Sequence, residues 1–474
     1  MGDVFELHHL SAQEQWDWLH RGEITPTELV THYLARIDRL NGELGAFTTV
    51  TAEAALERAG TLADLVPTTG ALWGLPLGDK DLVRRAGVRT TFGSRLFADF
   101  VPDRSDELVE VLDAAGAISL GKTNAPEFGM PSYTESLVAP PARNPWNLEL
   151  GAGGSSGGAA VAVSAGLLPV APGSDGGGSI RIPAAATGLV GLKPGRGLVP
   201  SGSGLTTLGG LVTTGPIARG VADAAMLLDA MIAGSPYRFS VRSPGWDGGP
   251  LLGAATRGEG RFQLGVMTTS PWDDAYEITV SPEAIAALDH AIRELTTIGH
   301  GIEQFALESD DSYASAFRTL WQAGAADIPA EGKDLDLLEP LTRWLVERGR
   351  ALTARELAAA LATLTTFERS ILRQFESYDA VLTPAMALPP RPIGWYSVDD
   401  PELNFAQQVQ YTPFTSFANV TGLPALTLPI FQREDGIPMG VQLVGRPGGE
   451  ATLLSIGAQL ERRIGWQRRH PPAW

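Results

Sequence analysis

Two serines, Ser155 and Ser179, lie 24 residues apart in glycine-rich runs, Gly153-Gly154-Ser155-Ser156-Gly157-Gly158 and Gly176-Gly177-Gly178-Ser179-Ile180-Arg181. Every glycine in a folded chain costs conformational entropy, so such runs are kept where backbone must approach a ligand or adopt positive φ. A serine that ends such a run has amide donors beside its hydroxyl, which is what an oxyanion hole requires. The familiar base for a nucleophilic serine is histidine. Here histidine occurs only at 8, 9, 20, 32, 290, 300 and 470, with none from 33 to 289, and cysteine is absent. A nucleophilic Ser179 therefore calls for another kind of base.

Lysine supplies a candidate. Of 36 basic residues only Lys80, Lys122, Lys193 and Lys333 are lysine. The rest are arginine, which stays charged at any ordinary pH and cannot accept a proton. Lys80 follows the apolar run Leu72-Trp73-Gly74-Leu75-Pro76-Leu77, which reads as a buried strand. Burial lowers a lysine's pKa because desolvation disfavours the charged form, and a neutral amine can take a serine proton. The plainer alternative is an ion pair of Lys80 with Asp79 or Asp81. In an extended strand, however, those two carboxylates point away from Lys80 because side chains alternate.

The three segments together resemble the amidase signature family. Its members share a Gly-Gly-Ser-Ser-Gly-Gly loop, a Gly-Ser-Asp-x-Gly-Gly-Ser-Ile-Arg-x-Pro-Ala segment and an upstream Lys-Asp. These stand here at Gly153 to Gly158, Gly173 to Ala184 and Lys80-Asp81. The resemblance continues through Gly121-Lys122-Thr123-Asn124-Ala125-Pro126-Glu127-Phe128, Arg143-Asn144-Pro145-Trp146-Asn147, Gly188 to Pro194, Gly215 to Arg219 and Ala418 to Ala425, all in family order.

The resemblance implies a Ser–Ser–Lys triad. Ser179 would be the acylated nucleophile, Ser155 a bridging serine after a cis peptide bond, and Lys80 the general base and later the proton donor. A hydroxyl both donates and accepts, so Ser155 suits a relay. The amides of Gly176, Gly177, Gly178 and Ser179 would form the oxyanion hole. Family members often carry threonine or another side chain at the first hole position. Gly176 keeps the amide and implies added room near the acyl pocket. Asp175 and Arg181 flank the nucleophile and read as an ion pair that pins the loop. Lys122 and Lys193 read as structural, and Ser156 as support for the loop. Thr123-Asn124 reads as a turn aiming Phe128, Gly129 and Met130 at the pocket.

Around these residues, strands must alternate with helices. Helices are expected over Ser11 to Leu40, with Thr25-Pro26-Thr27-Glu28 as a start signal, and over 50–65, 106–115, 282–298, 352–377 and 451–463. Ala159 to Pro172 reads as a buried helix leaving the first glycine loop, and Gly215 to Ile232 as a helical stretch entered through a proline turn. Strands are expected at 72–77, 117–121, 262–267, 300–305, 380–384, 423–431 and 439–444. Alternation of this kind indicates an α/β fold. The family resemblance makes it a mixed β-sheet sandwiched between helices, one catalytic domain over residues 1–474, with a helical N-terminal region to about 65. Residues 234–260, rich in Gly, Pro, Ser and Arg, read as a surface excursion.

Composition narrows the function classes. The net charge of −18 argues against nucleic-acid and anionic-membrane surfaces, which select basic patches. Without cysteine there is no disulfide or thiol chemistry. No signal peptide, metal-ligand cluster or phosphate loop is evident. The sequence predicts a cytoplasmic enzyme, monomer or homodimer, with no cofactor and no metal, acting on a small-molecule amide or carbamate.

The reaction class that follows from the resemblance is C(=O)–N hydrolysis through an acyl-enzyme. One alternative is the glutaminase subunit of tRNA-dependent amidotransferase, which carries an aspartate seven positions before the asparagine of its Asn-x-x-Gly-Leu-Pro segment. Counting back from Asn419 gives Thr412, which favours a less polar substrate: an arylamide, a linear or cyclic oligoamide, or a carbamate such as a urethane. The pattern is most similar to stand-alone bacterial amidases, including 6-aminohexanoate cyclic-dimer hydrolases. A second alternative is a non-catalytic, amidase-like binding scaffold. The expected pocket comprises Met130 and loops at 200–214 and 386–414, with Trp395, Tyr396, Tyr411, Thr412 and Phe414.

Overall fold

The computed structural model describes residues 6–65, 70–199, 208–233, 250–308 and 310–474. Helix starts follow local chemistry. Thr25 accepts a hydrogen bond from the Glu28 amide while the Glu28 carboxylate accepts from the Thr25 amide, and Pro26 occupies the first turn of Pro26–Leu44. Such a capping box satisfies two otherwise orphaned donors. Ser11 with Glu14 does the same for Ala12–Arg21. The N-terminal region is not all helix, because Phe47–Val50 is a strand.

Two sheets meet at the functional residues. The larger has eight strands in the order Gly301–Gln304, Gln263–Val266, Ala380–Pro384, Pro438–Gly445, Ala425–Gln432, Val190–Lys193, Thr213–Ala218 and Val170–Asp175. Gln263–Val266 runs parallel to both its neighbours, and the remaining pairings are antiparallel. This is the mixed sheet expected, with helices such as Pro282–Ile298, Arg181–Thr187 and Glu450–Ile464 packed against its strands. The smaller sheet orders Phe47–Val50, Ile118–Thr123 and Pro76–Lys80, and its last strand packs against Val170–Asp175. Lys80 thus ends a strand of one sheet while the Gly176–Gly178 loop leaves the edge strand of the other. Composition of a strand does not say which sheet it joins.

Gly157–Ser164 is a helix of small residues, buried along its whole length. A side chain at Gly158 would collide with the Asn124 amide and the Ala46 carbonyl, so glycine here permits a close backbone approach. The expected helix over 159–172 stops at Ser164. Gly166 turns the chain at φ 64°, and Val170 begins the edge strand. Gly215-Pro216 lies inside a strand, with Pro216 opposite Pro172. Val190–Lys193 pairs that strand only at Ile217 and Ala218, so no ladder bond on that side needs the missing proline N–H.

Of the excursion expected at 234–260, residues 234–249 lie outside the described residues. Leu251–Arg257 is a packed helix rather than an excursion, with Leu251 and Ala255 buried against Val221–Ile232 and Glu450–Ile464. Asp229 accepts from the amides of Leu251 and Leu252 at 2.8 Å each, which satisfies two donors at the helix start. Among the described residues no helix is long and apolar enough to cross a membrane.

Candidate active site

Lys80 is buried, and its Nζ donates to Ser155 Oγ at 2.8 Å and to Ser174 Oγ at 3.0 Å. Neither neighbouring carboxylate is its partner. Asp79 accepts from Arg85 at 2.6 Å and from Ser119 at 2.7 Å, while Asp81 is held by Thr91 and Thr48. The ion-pair alternative for Lys80 is therefore absent in the structure. Burial pushes the amine down to about 7, against an opposing pull from the Asp175 charge. Half of such lysines are neutral near pH 7, the state in which an amine accepts a proton.

Ser155 follows a cis Gly154–Ser155 peptide bond. Ser156 behaves as a support: its Oγ donates to the Ser174 carbonyl and accepts from the Ser174 amide, and its own amide donates to the Ser179 carbonyl. Ser174 belongs to a family motif without a role expected of it, yet its hydroxyl completes the Lys80 environment. Its place in that motif, one residue before Asp175, is the only signal the sequence carries for it.

Asp175 organises the turn that presents Ser179. Its carboxylate pairs with Arg181 at 2.9 Å with both side chains fully buried. It also accepts from the amides of Gly178 at 2.8 Å and Ile180 at 3.1 Å and from Asn419 Nδ2 at 2.9 Å. Arg181 in turn donates to Asn419 Oδ1, Gln442 Oε1 and the Thr415 carbonyl. Burial alone would raise the Asp175 pKa, but the Arg181 charge and hydrogen bonds hold the carboxyl well below its usual range. A buried ion pair tolerates its desolvation only when the remaining lone pairs and protons are satisfied, and here they are.

One consequence corrects the expected hole. The Gly178 amide is committed to Asp175, so of the four amides considered it points into the turn rather than at a ligand. Among the described residues the amides of Gly176, Gly177 and Ser179 donate to no protein acceptor. Gly178 is needed for shape instead: its φ is 135°, and a side chain there would meet Thr415 Oγ1 at 2.5 Å.

Ser179 opens onto two cavities. The larger, about 760 Å³, is shared with Ser155, Ser174, Gly176, Phe128, Gly129 and Asp106. The smaller, about 70 Å³, is walled by Trp272, Phe317, Phe405, Val409 and Thr412. Met130 and Trp321 line both. Of the expected pocket residues, Met130 and Thr412 are therefore at the cavities. Trp395, Tyr396, Tyr411 and Phe414 are not. Tyr411 and Tyr396 pack into a cluster with Ile182 and Met386, and Tyr396 stacks on Tyr133. Trp395 sits under the Arg391 guanidinium at 4.8 Å. Phe414 is fully buried, and its carbonyl accepts from Gln442.

The expected loop at 386–414 contains a helix, Pro401–Tyr411, that delivers Phe405, Gln408 and Val409 to the small cavity. Asp400 as cap with Pro401 next is a start signal that the sequence carries, although this helix is not among those expected. The loop at 200–214 contributes Leu208, Leu211, Val212 and Thr214 to the large cavity, and 200–207 lie outside the described residues. The rings of the small cavity come from Trp272, from Phe405 and from Tyr313–Ala325, where Phe317 and Trp321 stand four residues apart. That spacing puts them on one helical face, a second signal present in the sequence and absent from the expected pocket. The room implied by Gly176 is largely taken: a Cβ there would stand 3.1 Å from Val212 Cγ2 and 3.5 Å from the Trp321 ring.

Lys122 and Lys193 keep structural roles, with Nζ donating to the Val83 and Pro194 carbonyls respectively. Among the described residues one His and acid group has metal-ligand spacing, Glu6 with His8 and His32. Arg36 lies 3.6 Å from the Glu6 carboxylate, and none of the group lines the two cavities.

A family model described as Amidase matches residues 28–454. The AmiB2 protein of Mycobacterium tuberculosis is 37% identical over 480 residues, covering 99% of both chains. A glutamyl-tRNA(Gln) amidotransferase chain of Moorella thermoacetica is 34% identical, with 98% of this chain and 99% of that one covered. Among solved structures, a 6-aminohexanoate cyclic dimer hydrolase superposes with a TM-score of 0.90 at 31% identity, covering 99% of this chain and 100% of the other. A bacterial aryl acylamidase of the amidase signature family reaches 0.86 at 25% identity, covering 98% of each.

Proposed function

The chain belongs to the amidase signature family, whose members are amide-cleaving enzymes, and we propose that it hydrolyses a C(=O)–N bond through an ester on Ser179. The observation that carries this reading is the buried Lys80 amine, lowered to about 7 and 2.8 Å from Ser155 Oγ. In the proposed sequence Ser179 Oγ attacks the carbonyl carbon while its proton passes through Ser155 to neutral Lys80. The carbonyl oxygen becomes anionic against the amides of Gly176, Gly177 and Ser179. Preorganised donors aimed at developing charge stabilise such a transition state without reorganisation. The proton then returns by the same relay to the leaving nitrogen as the C–N bond breaks. Water opens the ester with the relay run again, releasing the acid and restoring Ser179.

The substrate we propose is an anilide or other apolar amide, or an aryl carbamate, turned over by a single catalytic unit in the cytoplasm without a second protein. Support comes from the aromatic lining of the smaller cavity and from Thr412 in it, whose hydroxyl donates to the Gln408 carbonyl at 3.0 Å. Among the described residues no carboxylate lines that cavity, so an α-ammonium group would lose a charged contact there. kcat/KM for an anilide or aryl carbamate should exceed that for glutamine by at least ~100-fold, or ~2.7 kcal/mol.

The test is mass spectrometry of the protein during turnover of amides, anilides and carbamates. An acyl adduct on Ser179 is expected. Ser179→Ala should lose the adduct and on the order of 10⁴-fold or more in turnover while keeping its unfolding transition. Wild-type turnover by Ser179→Ala, or equal rates on free glutamine, would count against this reading.

A further inference from the structure

Ser179, Met130 and Trp321 are, among the described residues, the side chains common to both cavities. Ser179 therefore stands where a wall between two spaces meets the reacting bond. A tetrahedral carbon on its Oγ has two substituents to place besides the oxyanion: the acyl chain and the leaving nitrogen. The nitrogen must leave with a proton. Its source in the proposed sequence is Ser155, which lines the large cavity and not the small one, together with Lys80 and Ser174 behind it.

We infer that the scissile bond straddles the Trp321–Met130 wall, with a short apolar acyl group in the smaller cavity and a bulky amine in the larger. This allocation rests on the reading of Ser179 as the acylated residue. Proton delivery fixes the side of the nitrogen, and the acyl chain takes what remains. About 70 Å³ against about 760 Å³ sets the sizes: a few heavy atoms on the acyl side, an aromatic or larger group on the amine side. Trp272, Phe317 and Phe405 make the acyl side apolar.

Trp321 is then the specificity-determining residue. Its ring stacks on Phe317, with centroids 5.7 Å apart and planes 16° from parallel. Its outer edge lies over the hole backbone, 3.5 Å from where a Gly176 Cβ would be and 3.9 Å from that of Gly177. Paired glycines let an indole rest there. The substrate class is amides of short aliphatic acids with aryl or larger amines.

The experiment is a two-way panel: nitroanilides of acetic, butyric and octanoic acid, and acetamides of methylamine, aniline and naphthylamine. In the wild type, kcat/KM should fall by ~100-fold or more from acetyl to octanoyl, since a small apolar pocket discriminates by roughly 10–200-fold per misfit methylene. From acetanilide to the naphthylamide it should hold or rise. Trp321→Ala should join the cavities and cut the octanoyl penalty to about tenfold or less, and Trp321→Phe, which keeps a ring on Phe317, should retain most of it. An octanoyl substrate as good as acetyl in the wild type would overturn the allocation, as would a preference for the acetamide of methylamine over that of naphthylamine. The wild-type panel decides this whether or not a variant folds. If Trp321→Ala folds and keeps the full penalty, the role of Trp321 falls. Adduct masses separate the two levels. Ser179 acylated with reversed size preference sinks this inference alone, whereas no adduct from any substrate sinks the reading beneath it.

Discussion

From Ala152 to Arg181 every residue is buried except Ser174 and Gly177, which are half-buried, and the polar groups at its functional end are hydrogen-bonded to one another. Across the cavities, Tyr313–Ala325 and Pro401–Tyr411 offer rings and aliphatic chains held by packing. The first region fixes where atoms react, and a small displacement there costs rate steeply. The second decides what fits, and apolar packing tolerates exchange of shape and volume far better than a buried polar network does. Substitutions on the two sides should therefore fail differently.

After Ser179→Ala, the largest effect is expected at Lys80. Lys80→Arg keeps the charge and removes the base, so it should cost ~10³-fold in kcat/KM, within the usual range for general catalysis. In the wild type the reactive form is the neutral amine. Below its pKa of about 7 kcat/KM should fall tenfold per pH unit, and above it the rate should level off. A flat profile from pH 5 to 9, or an active arginine variant, would remove Lys80 from the proton path.

Next comes Arg181→Met. It leaves the Asp175 carboxylate buried without its cation, although Gly178, Ile180 and Asn419 still donate to it. Breaking one side of a buried pair costs roughly 3–5 kcal/mol, and the lower end is expected here because those donors remain. Urea unfolding measures it. A loss below ~1 kcal/mol would mean that the pair is dispensable and that the backbone donors alone hold the turn.

The same contrast governs what the sequence discloses. Ser155 and Ser179 stand out in the sequence by their glycine runs, Lys80 by the scarcity of lysine and the Asp175–Arg181 pair by its flanking charges. The grouping of Lys80 with the two serines is legible only through the resemblance to the amidase signature family. Many helices and strands are legible too, since burial patterns are periodic. The strands Val170–Asp175, Val190–Lys193 and Thr213–Ala218, however, are not among those expected, and endpoints and sheet partners are not set locally. Lys80 meets Ser174 across two sheets that no local pattern joins. The cavity lining is least legible. Trp395, Tyr411 and Phe414 are as aromatic as Trp272, Phe317 and Phe405, yet the first three pack inward or under Arg391 and the others face Ser179. A ring facing a core and a ring facing a cavity sit on amphipathic elements of the same period, and only the third dimension separates them.

Gly176 lies where the two regions touch, and the smallest expected effect tests whether they do so independently. Gly176→Thr leaves the amide in place, and the native φ at this position is outside the left-handed region, so the backbone accepts a side chain. The added Cβ stands 3.1 Å from Val212 Cγ2 and 3.5 Å from the Trp321 ring. The remaining two heavy atoms of threonine need space that these side chains occupy. Overpacking typically costs about 1–3 kcal/mol, relieved here by outward movement of Trp321 into the large cavity. About a tenfold loss of kcat/KM on an anilide is therefore expected, carried through the hole geometry rather than through proton transfer, with the pH profile unmoved. The double variant with Trp321→Ala checks the cause. If the ring is what the threonine displaces, the Gly176→Thr penalty should shrink to about twofold in that background, because neighbouring residues in contact couple whereas independent ones add. Additive losses would show that Gly176 serves the hole by itself and that the wall opposite has no influence on it.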